Sequence, residues 1–162
     1  MFSSLAVAQV TVENDPKLDN RVDLAERTSF DSINFSIQPP LHYMKQDTGF
    51  FGFMNPAIGS ALAIIKIPYR SFENVGEEYQ HGNFEAAGSR LISSERLMTD
   101  KGVNGYLYRV HFSIQGTIVE RIVYFVGTQK TTYMIYANYP LALGPVLLPV
   151  FKSSLATIQF EE

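Results

Sequence analysis

Residues 106–139 contain three successive runs of apolar and β-branched residues, separated by two short turns that contain glycine. The runs cover residues 106–114, 117–126 and 131–139. Aromatic and β-branched residues with a period of two, bounded by glycine, are typical of strands joined in hairpins. The segment therefore predicts an antiparallel meander, and this feature constrains the fold of the chain more than any other.

The turns suggest a register in which Ile114 lies opposite Thr117 and Val126 lies opposite Thr131. With that register neither face of the meander is cleanly polar. An antiparallel sheet with one face in water carries polar residues on that face. We therefore expect other elements to cover both faces, which gives three layers.

A helix is predicted after the meander, because apolar residues there follow helical spacing: Leu143, Leu147, Val150, Phe151, Ser154, Leu155 and Ile158. Pro145 suits the first turn of this helix. Pro149 is harder to place, since an interior proline removes a backbone hydrogen bond. The helix either begins near Leu148 or begins near Pro145 and bends, and we favour a start before Pro149.

The residues before the meander predict further strands and one more helix. The predicted strands cover residues 33–37, 50–54, 60–68 and 90–98. The helix is predicted at residues 71–87, with Ser71 as its N-cap. These elements together predict an α+β fold: a twisted, mostly antiparallel sheet of about six strands, with helices on both faces.

Composition restricts the class of protein. The chain has 162 residues, enough for one domain. It has no cysteine, which excludes disulfides and thiolate metal sites. The formal net charge of −3 arises within residues 9–31, and the rest of the chain has no basic stripe, so nucleic-acid binding is not expected. No apolar run is long enough to predict a transmembrane helix.

The first residues bear on localisation. Ala6-Val7-Ala8 before Gln9 matches the type of site that signal peptidase cleaves, although no basic region or long apolar core precedes it. We interpret residues 1–8 as the remnant of a signal peptide, with the true start of the gene upstream of Met1. We therefore expect export to the periplasm or medium. The alternative is an ordinary terminus of a cytoplasmic protein. Residues 9–29 are predicted to be a flexible polar segment and residues 30–162 a single domain.

The order of elements resembles the Mog1/PsbP-like fold, including its bacterial DUF1795 and DcrB-type branches. The resemblance rests on three patterns over residues 30–160: the opening strand and prolines at 35–40, the strand at 60–68 that leads into a helix, and the strand at 133–137 before the closing helix. It is a similarity of pattern without a shared motif. Known members are mostly non-catalytic: a binder of a small GTPase, an extrinsic photosystem subunit and adaptor chaperones. The resemblance therefore implies a binding or accessory role, and carries no functional residue onto this chain.

Candidate catalytic residues are few. The histidines are His42, His81 and His111, and none stands in a metal-binding motif, so neither a metal nor a cofactor is expected. The register places His111 opposite Glu120, which would orient an imidazole as a base. A cross-strand pair that stabilises the sheet is the favoured reading. No catalytic residue is assigned.

Arg121 is the main candidate for ligand binding, because it lies in the middle of an apolar strand and beside Tyr136 in the assumed register. A buried arginine needs partners. It would either hold an anion in a pocket or extend its stem across the sheet to solvent. Tyr43, Phe50 and Phe51 are candidates for a partner surface. Phe50 and Phe51 are adjacent and point to opposite faces of a strand, so both are buried only if that strand is covered on both sides.

These observations rank three functions. The first is a non-catalytic exported binding or accessory protein that presents a sheet and helix surface to a protein partner. The alternative is a small-molecule binding domain with a pocket near Arg121 and Tyr136. The third is a hydrolase-like enzyme that uses His111 and Glu120. The oligomeric state does not follow from the sequence.

Overall fold

The computed structural model describes residues 23–161. Within this range the strands are β1 (Thr28–Phe30), β2 (Phe35–Ile37), β3 (Met44–Gln46), β4 (Phe51–Asn55), β5 (Ser60–Pro68), β6 (Ser89–Met98), β7 (Asn104–Ile114), β8 (Thr117–Gly127), β9 (Thr131–Pro140) and β10 (Gln159–Phe160). The α-helices are α1 (Phe72–Tyr79) and α2 (Gly144–Ala156). Short 3₁₀ turns cover Asp31–Ile33, Pro56–Ile58 and Leu141–Leu143.

The predicted α+β fold is confirmed. Seven strands form an antiparallel sheet in the order β3-β4-β5-β9-β8-β7-β6. Strands β1, β2 and β10 form a second, small sheet. Helix α1 packs on one face of the main sheet. Helix α2 and the small sheet pack on the other, over the larger apolar cluster that contains Phe35, Tyr133 and Phe151.

The meander has the predicted strands, with one correction to its register. Ile114 lies opposite Thr117 as expected, but Val126 lies opposite Tyr133 rather than Thr131. The reason is that β8 continues through Gly127, which pairs with Thr132. Only glycine allows the strands to approach so closely there, since a Cβ at this position would lie 2.1 Å from the carbonyl oxygen of Thr131. A shift of two residues leaves every side chain on its predicted face, but it changes which residues are direct neighbours.

Helix α1 is shorter than predicted. Ser71 caps it as expected, since its Oγ accepts a hydrogen bond from the backbone N–H of Asn74. The helix ends at Tyr79 rather than near residue 87, because the chain turns repeatedly over residues 80–88 and Phe84 folds back against the Tyr79 ring at 5.3 Å. An eight-residue helix covers only part of a seven-stranded sheet, and this determines where the sheet face stays open.

Helix α2 begins before Pro149, as predicted. It starts at Gly144 with Pro145 in its first turn, and Pro149 lies inside it. The hydroxyl of Ser154 donates to the carbonyl oxygen of Gln38 at 2.6 Å, which ties the helix to the segment after β2. No helix among residues 23–161 has the length and apolar character that crossing a membrane requires.

The beginning of the described region contains elements that the sequence did not reveal. Leu24 forms an isolated antiparallel bridge with Pro40, and β1 pairs with β2. The predicted strand at residues 33–37 begins only at Phe35, because Asn34 has a left-handed φ of 55°. The interpretation of residues 1–8, and of residues 9–22 in the predicted flexible segment, lies outside the described residues.

Candidate functional site

The sheet face that carries α1 is covered at one end only. There α1 buries Tyr108, Val123 and Phe125 against Val75. The contact is close, since the hydroxyl of Tyr108 donates to the carbonyl oxygen of Gly76 at 2.6 Å. The ends of β7 and β8 near their shared turn extend beyond the helix along the strands. Across the sheet the helix contacts β7, β8 and β9, and β5 lies to its side, with Ile65 in the same row as Met134 and Phe125.

We call this uncovered part the open face. The pairing of the strands places the following side chains on it: Ala61, Ala63 and Ile65 from β5, Tyr136 and Asn138 from β9, Val119 and Arg121 from β8, and Phe112 and Ile114 from β7. Ile65 is 40% exposed and Ile114 is 52% exposed. The open face is therefore a mainly apolar surface with an arginine near its centre.

Arg121 is held by three side chains. Its Nε donates to Oδ1 of Asn138 at 2.7 Å. Its Cζ lies 4.9 Å from the ring centroid of Phe112 and 5.0 Å from that of Tyr136, within the range of cation–π contacts. The expected contact with Tyr136 is present as a diagonal one. The residue directly opposite is Asn138, because of the two-residue change of register.

Tyr79 connects Arg121 to the covered half of the face. Its ring packs on those of Tyr108 and Phe125 at centroid distances of 5.1 and 5.2 Å. Burial raises the pKa of Tyr79, and the positive charge of Arg121 opposes that rise. The hydroxyl therefore stays protonated at neutral pH and puts no negative charge beside Arg121.

A cleft borders the open face on the side of β5. It has a volume of about 530 Å³ and lies next to the turn between β3 and β4. Its lining includes Phe50, Phe51, Ile65, Lys66 and Tyr136. Phe50 and Phe51, which were predicted for a partner surface, thus line the same cleft as Tyr136, which was predicted for ligand binding.

Tyr43 does not belong to this surface. Its side chain is buried in the core on the other side of the sheet, where its ring packs edge-on against Phe151. Its hydroxyl donates to Oγ of Ser60 at 2.6 Å. Tyr69 lies in the turn between β5 and α1 and is 93% exposed.

A second cluster of polar side chains lies on the opposite face, where α2 begins. Glu120 is fully buried. Its Oε2 accepts hydrogen bonds from Nε and Nη2 of Arg109, at 3.2 and 2.9 Å. Nε2 of His111 lies 2.6 Å from the same oxygen, and the hydroxyl of Tyr139 donates to Oε1. The predicted position of His111 opposite Glu120 is confirmed.

The charge of this cluster is stabilised by its hydrogen bonds. Burial alone raises the pKa of Glu120, but the bonds from Arg109, Tyr139 and His111 outweigh burial and hold that pKa below its ordinary value. Burial and the bond to Glu120 both raise the pKa of Tyr139, so this hydroxyl remains a donor. The geometry favours a structural role that joins β7, β8 and β9.

The residues that complete both sites were not identified from the sequence. Asn138 and Phe112 hold Arg121, and Tyr139 and Arg109 hold Glu120. The alternation of the meander does assign each of them to the correct face. Asn138 and Tyr139 could have been found only with the correct register of β8 and β9. Among residues 23–161, no group of three or more potential metal ligands comes together.

No protein-family model matches this chain, and no curated protein matches it by sequence. Solved structures do match. The cyanobacterial PsbP protein CyanoP of Synechocystis sp. PCC 6803 matches with a TM-score of 0.63 at 12% identity, over 86% of this chain and 94% of that chain. LpqN, involved in cell envelope biogenesis of Mycobacterium tuberculosis, matches with a TM-score of 0.57 at 10% identity, over 92% of this chain and 87% of that chain.

A protein of Bacteroides thetaiotaomicron also matches, with a TM-score of 0.59 at 14% identity over 85% of this chain. This chain spans about half of the Bacteroides protein, 49% of its length. Identities this low establish the fold alone. The chain has the Mog1/PsbP-like fold that the pattern of its sequence predicted.

Proposed function

We propose that this protein is a non-catalytic binding protein whose open face docks a protein partner. The observation that carries the proposal is the short α1, which contacts β7, β8 and β9 and leaves part of a sheet face uncovered. An apolar surface with aromatic side chains and a central arginine has the composition of the energetically dominant part of protein interfaces.

The open face is suited to docking because its central side chains are already held in place. The guanidinium of Arg121 is fixed by Asn138 and by two aromatic rings. A side chain that is ordered before binding loses less conformational entropy when a partner arrives. The sheet beneath is rigid, since neighbouring strands are hydrogen-bonded along β5, β9, β8 and β7.

Export and membership of the DUF1795 and DcrB-type branch are parts of the same proposal. Export is supported by Ala6-Val7-Ala8 before Gln9. The branch is supported by the strand that runs into Pro39-Pro40 and by the order of the later elements. Partners are then expected among envelope or extracellular proteins. Intact-mass measurement of the protein produced with its upstream genomic sequence tests export, and a product that retains Met1 would contradict it.

A second candidate function is binding of a small molecule in the cleft beside Tyr136. A volume of about 530 Å³ lies within the range of ligand pockets, and its lining is aromatic and aliphatic with Asp47 and Lys66 at its edges. A ligand there would raise the melting temperature. Arg121→Ala should abolish that rise if Arg121 belongs to the binding site. An unchanged rise in melting temperature would show that Arg121 does not contribute to ligand binding in the cleft.

Catalysis by His111 and Glu120 ranks last. Both oxygens of Glu120 already accept hydrogen bonds, and Arg109 compensates its charge. Nothing in this cluster supplies a nucleophile with an adjacent base. The cluster is better explained as a structural link between β7, β8 and β9, because Arg109, His111 and Tyr139 all bond to Glu120.

Site-specific crosslinking in the native host tests the docking proposal. A photo-reactive amino acid replaces Ile65 on the open face, and in a control protein it replaces Val146 on α2, which is 69% exposed. We expect a discrete adduct from position 65 that is absent from position 146. The partner identified by mass spectrometry should then bind the purified protein, and Ile65→Arg should abolish that binding. Equal adducts from both positions would refute the assignment of the surface.

A control substitution distinguishes loss of the surface from loss of the fold. Ile118 is 50% exposed and, by strand alternation, lies on the opposite face of the sheet. Ile118→Arg therefore adds the same charge at similar exposure without changing the open face. We expect it to bind the partner like the wild-type protein.

A further inference from the structure

We infer that the partner presents a carboxylate to Arg121, from an aspartate or glutamate flanked by apolar side chains. This inference rests on the proposed function, since it names the chemistry of the group that the open face recognises. It follows from the hydrogen bonds of Arg121, from its rigid placement and from the charge of the surface around it.

The hydrogen bonds of Arg121 leave most of its donors unused. A guanidinium carries five N–H donors. One of them, on Nε, goes to Oδ1 of Asn138. No acceptor among residues 23–161 bonds to either terminal nitrogen, and none of the ion pairs among these residues includes Arg121.

The terminal nitrogens are held in a fixed place. Rings on both neighbouring strands contact the guanidinium, Phe112 from β7 and Tyr136 from β9. Two parallel N–H groups at a fixed position match the two oxygens of a carboxylate, which is the geometry of a bidentate pair. A flexible surface arginine would lack this preorganisation.

No acidic side chain from β4, β5, β9, β8 or β7 shares this face with Arg121. In these strands, Arg121 is the only charged side chain that the strand pairing places on this face. The neighbouring side chains on this face are mainly apolar, among them Phe112, Val119 and Tyr136. A partner that covered this surface without an anion would bury an unpaired charge, which is costly. Complementarity therefore requires a carboxylate surrounded by apolar groups.

A second copy of this chain is a poor occupant for the same reason. In a two-fold symmetric dimer the same patch lies on both sides of the interface. The open face contributes Arg121 and no carboxylate from those five strands, so two copies would bring arginine charges together without compensation. The partner is therefore a different protein.

Selection from a random peptide library displayed on phage tests the inference. Peptides are selected on the purified wild-type protein, and those that still bind Ile65→Arg are discarded, which retains binders of the open face. We expect the retained peptides to share an acidic residue next to apolar residues. Each acid is then changed to its amide, and binding of both peptides is measured with the wild-type protein and with Arg121→Gln.

The two changes form a double-mutant cycle. We expect amidation of the peptide to weaken binding to the wild-type protein by about 10- to 100-fold, the range for hydrogen bonds between charged groups. The same amidation should leave binding to Arg121→Gln nearly unchanged. Arg121→Lys, which keeps the charge but not the planar donor pair, should recover only part of the lost affinity. Circular dichroism of each variant confirms that it is folded.

The outcomes separate the inference from the proposed function. Retained peptides without an acid, or with an amide effect that is the same on Arg121→Gln, would overturn the inference and leave the open face as a docking surface. Absence of any peptide sensitive to Ile65→Arg would overturn the proposed function together with the inference. A dimer in sedimentation experiments that Ile65→Arg dissociates would make a second copy the occupant and would also overturn the inference.

Discussion

Glu120→Gln is the substitution for which the structure predicts the clearest loss of stability. It keeps the shape of the side chain and removes its charge. The buried carboxylate accepts bonds from Arg109 at 2.9 and 3.2 Å and contacts His111 at 2.6 Å. A neutral amide offers one accepting oxygen to these donors, and its NH₂ group must then face the hydroxyl of Tyr139.

The magnitude follows from the change of bond type. A hydrogen bond to a charged group contributes about 1.5–3 kcal/mol, against about 0.5–1.5 kcal/mol for a neutral one. The bonds from Arg109 and His111 to Oε2 lose the negative charge of their acceptor, and the guanidinium of Arg109, which stays charged, loses its counter-ion. We therefore expect the free energy of unfolding to fall by about 2–3 kcal/mol, which lowers the melting temperature by about 4–12 °C in a domain of this size.

The effect should depend on pH in one direction. The pKa of Glu120 in the folded protein lies below its ordinary value of about 4.3. A lowered pKa means that the carboxylate stabilises the fold above that ordinary value, and that this stabilisation is lost as the pH falls through the folded-state pKa. The difference between wild type and Glu120→Gln should thus shrink on acidification below about pH 4.

Urea denaturation at several pH values measures both effects. Glu95→Gln is the matched control, because Glu95 also lies on a strand of the main sheet and forms an ion pair, with Lys152 at 2.9 Å, but both side chains are partly exposed. An exposed pair contributes about 0–1 kcal/mol. If Glu120→Gln costs no more than Glu95→Gln, or if its cost does not change with pH, the account of the buried cluster is wrong.

Three further substitutions test the packing by calorimetric melting temperature. Pro149→Ala should stabilise the protein by about 1–2 kcal/mol. An interior proline costs a helix about 3 kcal/mol through its missing N–H and its ring clash, and the greater freedom of the unfolded chain offsets about 1 kcal/mol of the gain. Destabilisation would mean that α2 needs its bend. Gly105→Ala should destabilise by about 1–3 kcal/mol, since its Cβ would lie 2.4 Å from the buried Tyr124 ring; no effect would contradict that close packing. Tyr69→Gly should be neutral or stabilising by up to about 1 kcal/mol, because it relieves a φ of +64° at a residue with an exposed side chain; a clear loss of stability would reveal a contact of the Tyr69 ring.

The strands and their faces were largely predictable from the sequence. The strand at 60–68 has the predicted bounds, and those of the meander agree to within two residues. In a strand the side chains alternate by a local rule, so the pattern of apolar residues assigns each one to a face without knowledge of the partner strand. That rule placed Arg121 and Tyr136 together on one face, and His111 with Glu120 on the other.

The neighbours of those residues were less predictable. The register between β8 and β9 depends on the turn after Gly127. The predicted register was wrong by two residues, so it placed Tyr136 opposite Arg121, where the structure has Asn138. Strands of two or three residues, such as β1 and β10, show no usable period and were missed. Tyr43 was expected at a surface, but it is buried because α2 packs Phe151 against it.

The sequence by itself determined an α+β chain with an antiparallel meander, a closing helix and apolar residues on both faces of its sheet. These properties follow from local periodicity and from the conformations that proline and glycine allow. Only the tertiary structure decided that part of one face stays uncovered, that Arg121 lies on that part, and that Glu120 is buried beside the start of α2. Each of these depends on where a helix ends or docks against distant strands, and contacts between residues far apart in the chain are not encoded in any short stretch of it.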